Sequence, residues 1–172
     1  MRLGMVWSAS AAKLAAMRFE HLIEINSPSL AMQTAAATFS CEQLWAGLMA
    51  KVRSPERLPL GPERCECEEL APGLFSRTLH FGQLQMQDKV VAAELEALVF
   101  TPQAMPEVTP IRLSIRIEEP QSQQMVLRFV YEALAELSAE EALYNGYRHS
   151  AWLANDRDMV RTLREWLAEG QL

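Results

Sequence analysis

Between Arg64 and Glu132 apolar residues return at every second position, and this alternation constrains the fold more than any other feature of the chain. A period of two puts one set of side chains on one face of a strand. CECEEL, GLFSRTLHF, LQMQDKVVA, EALVFT, IRLSIRIEE and QQMVLRFVYE read as six consecutive strands with short connections. In IRLSIRIEE, Ile111, Leu113, Ile115 and Ile117 alternate with Arg112, Ser114, Arg116 and Glu118. A turn centred near Gln121 sets Ile117 opposite Met125, Ile115 opposite Leu127 and Leu113 opposite Phe129. One wall is apolar and the other polar, the pattern of a sheet covered on one face.

Within this region Gly82-Gln83 reads as a two-residue hairpin turn, with glycine supplying the positive φ of its first position. Folding there sets Phe81 against Leu84, Leu79 against Met86 and Arg77 against Asp88, all on one side of the ribbon. That side is apolar, yet it carries a cation and an anion.

The cover comes from the flanks. RFEHLIEIN (18–26) reads as a strand presenting Phe19, His21, Ile23 and Ile25 on one face. NSPSLAMQTAAATF has no clear period and reads as a loop. SCEQLWAGLMAKVR reads as a helix capped by Ser40 and Gln43, with a stripe of Leu44, Trp45, Leu48, Met49 and Val52. Pro55, Pro59 and Pro62 follow and stop it. From about Ala139 to Glu169 the period is helical. Trp152, Met159, Val160, Leu163, Trp166 and Leu167 share one stripe, with Asp156 inside it, and Leu143, Tyr144, Tyr147, Ala151 and Ala154 form another. The shift between stripes implies a bend, a break near Gly146, or two different neighbours. Strand, helix, six strands and a long helix make an α+β fold.

Length and composition narrow the partners. The 172 residues suit one domain with a real core. A formal charge of −6 argues against nucleic acid and against an anionic membrane surface. No apolar run approaches the roughly 18–20 residues that span a bilayer. The first sixteen residues contain an apolar core of about five residues, short of the roughly 7–15 of a secretory signal. They read as an extension ahead of a domain at 17–172, with Met17 a possible start. Cys41, Cys65 and Cys67 make an odd set without a disulfide framework, which fits a cytoplasmic chain. Cys65 and Cys67 share one side of a strand, and two thiols without a histidine at ligand spacing do not make a metal site. No phosphate-binding glycine loop, dinucleotide fingerprint, zinc-protease motif or nucleophile elbow is present. No cofactor is expected.

FEHLIEIN at 19–26, EQLWAGL at 42–48, SRTLHFG at 76–82 with DKV at 88–90, LRFVYE at 127–132 and YRHSAW…DRDMVRTLREWLAEGQL at 147–172 resemble the helix-grip superfamily of START and birch-pollen-allergen proteins. The resemblance is to its AtaL-like branch and runs from Met17 to Leu172. It implies a curved seven-stranded antiparallel sheet gripping the last helix, often around a ligand cavity. It implies no particular reaction, since superfamily members bind lipids, sterols, hormones and polyketides and some catalyse cyclisation.

If the apolar wall faces the second stripe of the last helix, three polar features project between them. Arg77–Asp88 is either a ligand anchor or an ion pair tying two strands in register. His21 on the apolar face of the first strand is either a proton-transfer group or a core histidine satisfied by a neighbour. Asp156, with Tyr131 or Tyr147 as phenol partner, is either a site carboxylate or one bonded to the sheet or to Arg77. The expected lining is Trp45, Met49, Leu79, Phe81, Met86, Phe100, Leu113, Leu127, Phe129, Trp152, Met159 and Leu163, residues that suit an adaptable cavity and an ordinary core alike. The leading expectation is a binder of a small hydrophobic molecule beneath the last helix. The alternative is a polyketide-cyclase-like enzyme, with His21 or Asp156 as base and Arg77 stabilising an enolate or oxyanion. A third is a module that dimerises or binds a partner through Leu143, Tyr144 and Tyr147.

Overall fold

Alternation of inward apolar and outward polar side chains gives seven strands in the computed structural model, which describes residues 17–34 and 37–172. The expectations for residues 1–16 lie outside these described residues. The strands are β1 (Arg18–Asn26), β2 (Arg64–Ala71), β3 (Leu74–Phe81), β4 (Leu84–Ala93), β5 (Ala97–Pro102), β6 (Ile111–Gln121) and β7 (Gln124–Ala133). They form one antiparallel sheet in the order β1-β7-β6-β5-β4-β3-β2. The helices are α1 (Pro28–Thr34), α2 (Cys41–Arg53), α3 (Ala139–Leu143) and α4 (Asn145–Ala168). This is the α+β architecture expected of a helix-grip chain.

The β3–β4 register is the expected one, Phe81↔Leu84, Leu79↔Met86 and Arg77↔Asp88, with Gly82 at φ +59°. The β6–β7 register differs. Ile117 pairs with Leu127, Ile115 with Phe129 and Leu113 with Tyr131, two residues beyond the expected partners. The chain turns at Ser122-Gln123, and the register shifts between Glu118 and Gln121. A slip of two keeps every side chain on its face, so the inner wall survives.

A second departure is α1, where a loop was expected. Ser27 Oγ accepts the Leu30 N–H at 3.1 Å and Pro28 opens the helix, a start signal compact enough to hold seven residues. In α2 the Ser40–Gln43 capping box is formed. The last helical segment breaks at Tyr144, between α3 and α4, two residues before Gly146, near which a break was one of the three expected alternatives.

Asp156, Met159, Val160, Leu163 and Trp166 of α4 are buried against the inner face of the sheet, together with Leu44, Leu48 and Val52 of α2. α2 and α4 meet where Gly47 lies under Leu163. A Cβ added at Gly47 would stand 2.9 Å from Leu163 Cδ2, so the glycine permits the close approach. The other stripe, with Leu143, Tyr144 and Tyr147, is exposed.

Candidate functional site

Strand register lays the inner wall out in rows. Phe100, Leu113, Tyr131 and Phe19 run across β5, β6, β7 and β1, and Leu98, Ile115, Phe129 and His21 form the next row. α4 brings Asp156 down onto the junction of these rows, and Asp156 is fully buried. Tyr131 Oη donates to Asp156 Oδ2 at 2.8 Å. His21 Nε2 lies 3.1 Å from the same oxygen, but out of line for a hydrogen bond. Three of the expected site residues are therefore in mutual contact. The other expected phenol, Tyr147, is 79% exposed and stands outside the cluster.

Aromatic rings surround these groups. Tyr131 stacks on Trp152 with centroids 4.2 Å apart, and His21 stacks on Phe129 at 5.0 Å. Phe19 stacks on His149 at 4.2 Å. Burial pushes the Tyr131 phenol well above its ordinary range, and the Asp156 charge and hydrogen bond push the same way. His149 is held below its ordinary pKa by burial and then by Arg148. Four buried polar atoms in this region have no hydrogen-bond partner: His21 Nδ1, His21 Nε2, Asp156 Oδ1 and His149 Nε2. Buried polar atoms are nearly always paired in folded proteins, so four orphans in one aromatic neighbourhood are unusual and single this cluster out.

Arg77 and Asp88 form a separate centre. Arg77 Nε donates to Asp88 Oδ1 at 2.8 Å and Nη2 to Oδ2 at 2.5 Å. Nη1 donates to the carbonyl oxygens of Lys51 and Val52 at 2.8 and 3.2 Å, capping the last turn of α2. The guanidinium lies over the Phe100 ring at 5.0 Å. Four of its five N–H groups are engaged within the fold.

Lys51 and His149 are site neighbours that the sequence reading passed over. Lys51 Nζ stands 6.0 Å from the Phe100 centroid. Burial lowers its pKa, with Arg77 adding to the effect and Asp156 and Asp88 opposing it. Its signal was available: Lys51 follows Gly47 by four residues and Leu48 by three, which places it on the inward side of α2. His149 precedes Trp152 by three residues on α4, the same kind of signal.

The expected lining divides by depth. Phe100, Leu127, Phe129, Met159 and Leu163 are buried core. Trp45, Met49, Leu79, Met86, Leu113 and Trp152 are half-buried, and Phe81 stands at the hairpin tip with 36% of its surface exposed. Inward Leu79 and Met86 and exposed Phe81 and Leu84 lie at the sheet end shared by the start of β1 and the end of β7. Two clefts open at the sheet's ends. One of about 510 Å³ lies between α1, α2 and the β6–β7 turn, with Asn26, Cys41, Glu119 and Met125 in its wall. One of about 530 Å³ lies under the β5–β6 loop, beside Met105, Val108 and Glu141. Neither is walled by the expected lining residues. Among the described residues no His/Cys/Asp/Glu group is arranged to hold a metal ion, and no helix is long and apolar enough to cross a membrane.

Residues 23–170 match the family described as acetylaranotin biosynthesis cluster protein L, AtaL. Among solved structures, the di-domain ARO/CYC protein StfQ of the steffimycin biosynthetic pathway is similar, with a TM-score of 0.64 and 18% identity over 91% of this chain and 52% of that one. The di-domain ARO/CYC protein BexL gives 0.61 and 12% over 87% and 49%. The Zhui aromatase/cyclase of a Streptomyces species gives 0.55 and 13% over 88% and 95%. The chain spans about half the length of the two di-domain proteins. No curated protein matches it. At these identities the likeness is one of fold, and any function has to be argued from the site.

Proposed function

The chain belongs to the AtaL family, and from that membership and its buried polar cluster we propose that it binds a small, largely apolar molecule bearing a carbonyl or phenolic oxygen. The molecule lies beneath the first half of α4, with its oxygen directed at His21, Tyr131 and Asp156. The observation that carries this reading is the set of orphaned atoms on His21 and Asp156 inside an aromatic wall. A ligand hydroxyl would donate to Asp156 Oδ1, and a carbonyl would accept from a His21 N–H. Apolar burial supplies the affinity, at about 25 cal/mol per Å² removed from water, and the polar contacts fix orientation. Phe19, Leu113 and Trp152, inward but incompletely buried, are the rings and chains a planar ligand would meet. Leu79 and Met86 make the approach apolar. Arg77 serves in support: its donors already hold Asp88 and the end of α2.

Native mass spectrometry of freshly purified protein, with denaturing extraction, tests the reading. A small apolar oxygenated molecule released at near-stoichiometric ratio is expected. An empty protein that also fails to quench its tryptophan fluorescence with hydroxylated naphthyl ketones would remove the proposal.

A second reading, an enzyme of the polyketide-cyclase kind, draws on the 3.1 Å approach of His21 Nε2 to Asp156 Oδ2. Such a pair would take a proton from a carbon beside a ligand carbonyl. The aromatase/cyclase names of the fold neighbours point the same way. Turnover of a bound β-dicarbonyl, abolished by His21→Phe with binding retained, would establish it. Binding without turnover would leave the first reading alone.

A further inference from the structure

The sequence holds three lysines, at 13, 51 and 89, against thirteen arginines. Lys89 is exposed on the sheet. Lys51 turns inward from the last turn of α2, and its amine comes to rest near Phe100, beside the Arg77 guanidinium that lies over the same ring. Its own carbonyl is taken by Arg77. Nζ makes no hydrogen bond with any described residue. The residue is half-buried, and partial dehydration there disfavours the ammonium relative to the neutral amine. The groups facing it are Arg77 and Asp88 from the sheet and Asp156 from α4, and the net result of burial and these charges is a lowered pKa. Arginine fills most cationic positions in this chain, but it cannot lose its proton. A lysine at position 51 can, and its lone pair then makes it a nucleophile toward carbonyl carbon.

We propose that Lys51 Nζ condenses with a carbonyl of the bound molecule to form an imine, so that ketones and β-dicarbonyls are the ligand class of this interior. The proposal rests on the binding reading above. The amine lone pair bonds to the carbonyl carbon as the C=O π pair moves onto oxygen. One nitrogen proton passes to that oxygen, giving a carbinolamine. A second proton reaches the hydroxyl, water leaves, and the nitrogen lone pair closes the C=N bond. The remaining nitrogen proton leaves to the base that supplied the hydroxyl its proton, so one carbonyl and one amine give one imine and one water. No oxidant or reductant enters. The proton relay falls to Asp156, whose charge acts on the amine and whose Oδ1 has no hydrogen-bond partner.

Benzoylacetone is a suitable probe, since a 1,3-diketone converts an amine into a conjugated enaminone that absorbs in the near ultraviolet and survives mass spectrometry. Binding is read separately, from tryptophan quenching. An ordinary lysine with a pKa near 10.4 is only about one part in a thousand neutral at pH 7.4, so Lys51 should label roughly ten-fold or more faster than Lys89. The expected product has the protein mass plus the probe less one water, located on the Lys51 peptide. Lys51→Arg and Lys51→Met, each checked for a wild-type-like circular dichroism spectrum, should still quench but no longer label. Quenching without label, or label spread over Lys89 and the N-terminus, would overturn the imine and leave binding standing. Neither quenching nor label would remove both for this ligand class.

Discussion

Arg77 Nη1 donates to the Lys51 carbonyl oxygen at 2.8 Å while Nε of the same guanidinium holds Asp88 Oδ1 at 2.8 Å. One side chain thus closes three elements together: β3, β4 and the end of α2. The cation also sits where the helix C-terminus is negative, which adds to its fit. A salt bridge this well buried is weak evidence for net stability, but removing one partner leaves a charge with no counterpart.

Arg77→Met should therefore cost about 3–5 kcal/mol by urea denaturation. Arg77→Met with Asp88→Leu removes both charges and should recover most of that loss. Recovery will be incomplete, because the Lys51 and Val52 carbonyls lose their donor, a penalty of about 1–3 kcal/mol. A double variant as unstable as the single would mean that the helix end, rather than the charge on Asp88, dominates the cost.

The Asp156–Tyr131 pair calls for the same pattern on a smaller scale. Tyr131→Phe alone strands a fully buried carboxylate oxygen and should cost about 1.5–3 kcal/mol, the range for hydrogen bonds to charged groups. Asp156→Leu with Tyr131→Phe substitutes apolar groups of similar volume and should fold close to wild-type stability. Affinity for a hydroxylated naphthyl ketone should fall about ten-fold or more, the equivalent of one hydrogen bond. Undiminished affinity in a folded double variant would make the pair a structural tie between α4 and the sheet.

What sequence could show here follows from the range of each interaction. The β3–β4 register was legible because a two-residue turn fixes it locally. The β6–β7 register slipped by two because a shift near Glu118–Gln121 lies within the strand and leaves alternation intact. That His21, Tyr131 and Asp156 share the inner side was readable from period alone. That they touch depends on where α4 crosses the sheet, set partly by Gly47 beneath Leu163, and no local signal carries that information. Lys51 was passed over because the stripe was drawn through the apolar residues of α2, although position 51 faces the same way.

Glu141 caps α3 and fastens the β5–β6 loop. Its carboxylate accepts the Thr109 N–H at 3.0 Å and hydroxyl at 2.8 Å, and the Ser138 N–H at 2.9 Å. These bonds hold its pKa down at about 2, from an ordinary 4.5. The contribution is fully present above 4.5 and is lost as pH falls from there through about 2. Hydrogen exchange at Thr109 should stay slow at pH 4 and accelerate at pH 2. In Glu141→Gln it should be fast at both, and a variant still protected at pH 4 would show that other contacts fasten the loop.

Above neutrality two interior groups act in opposite directions. Cys65, inward on β2, has its thiol pushed up to about 11 from 9.0, chiefly by burial. Between those values the unfolded chain releases a proton the folded chain keeps, so stability falls as pH rises. Lys51 is lowered from 10.5, so between its folded value and 10.5 the unfolded chain binds the proton that the folded one refuses, and stability rises with pH. Where the windows overlap, the two slopes offset each other. Denaturation midpoints collected from pH 8 to pH 11 should fall more steeply in Lys51→Met than in wild type, and less steeply in Cys65→Ser. Parallel curves for Lys51→Met and wild type would mean that the Lys51 amine is as well hydrated in the folded chain as in the unfolded one, and would remove the basis for its nucleophilic role.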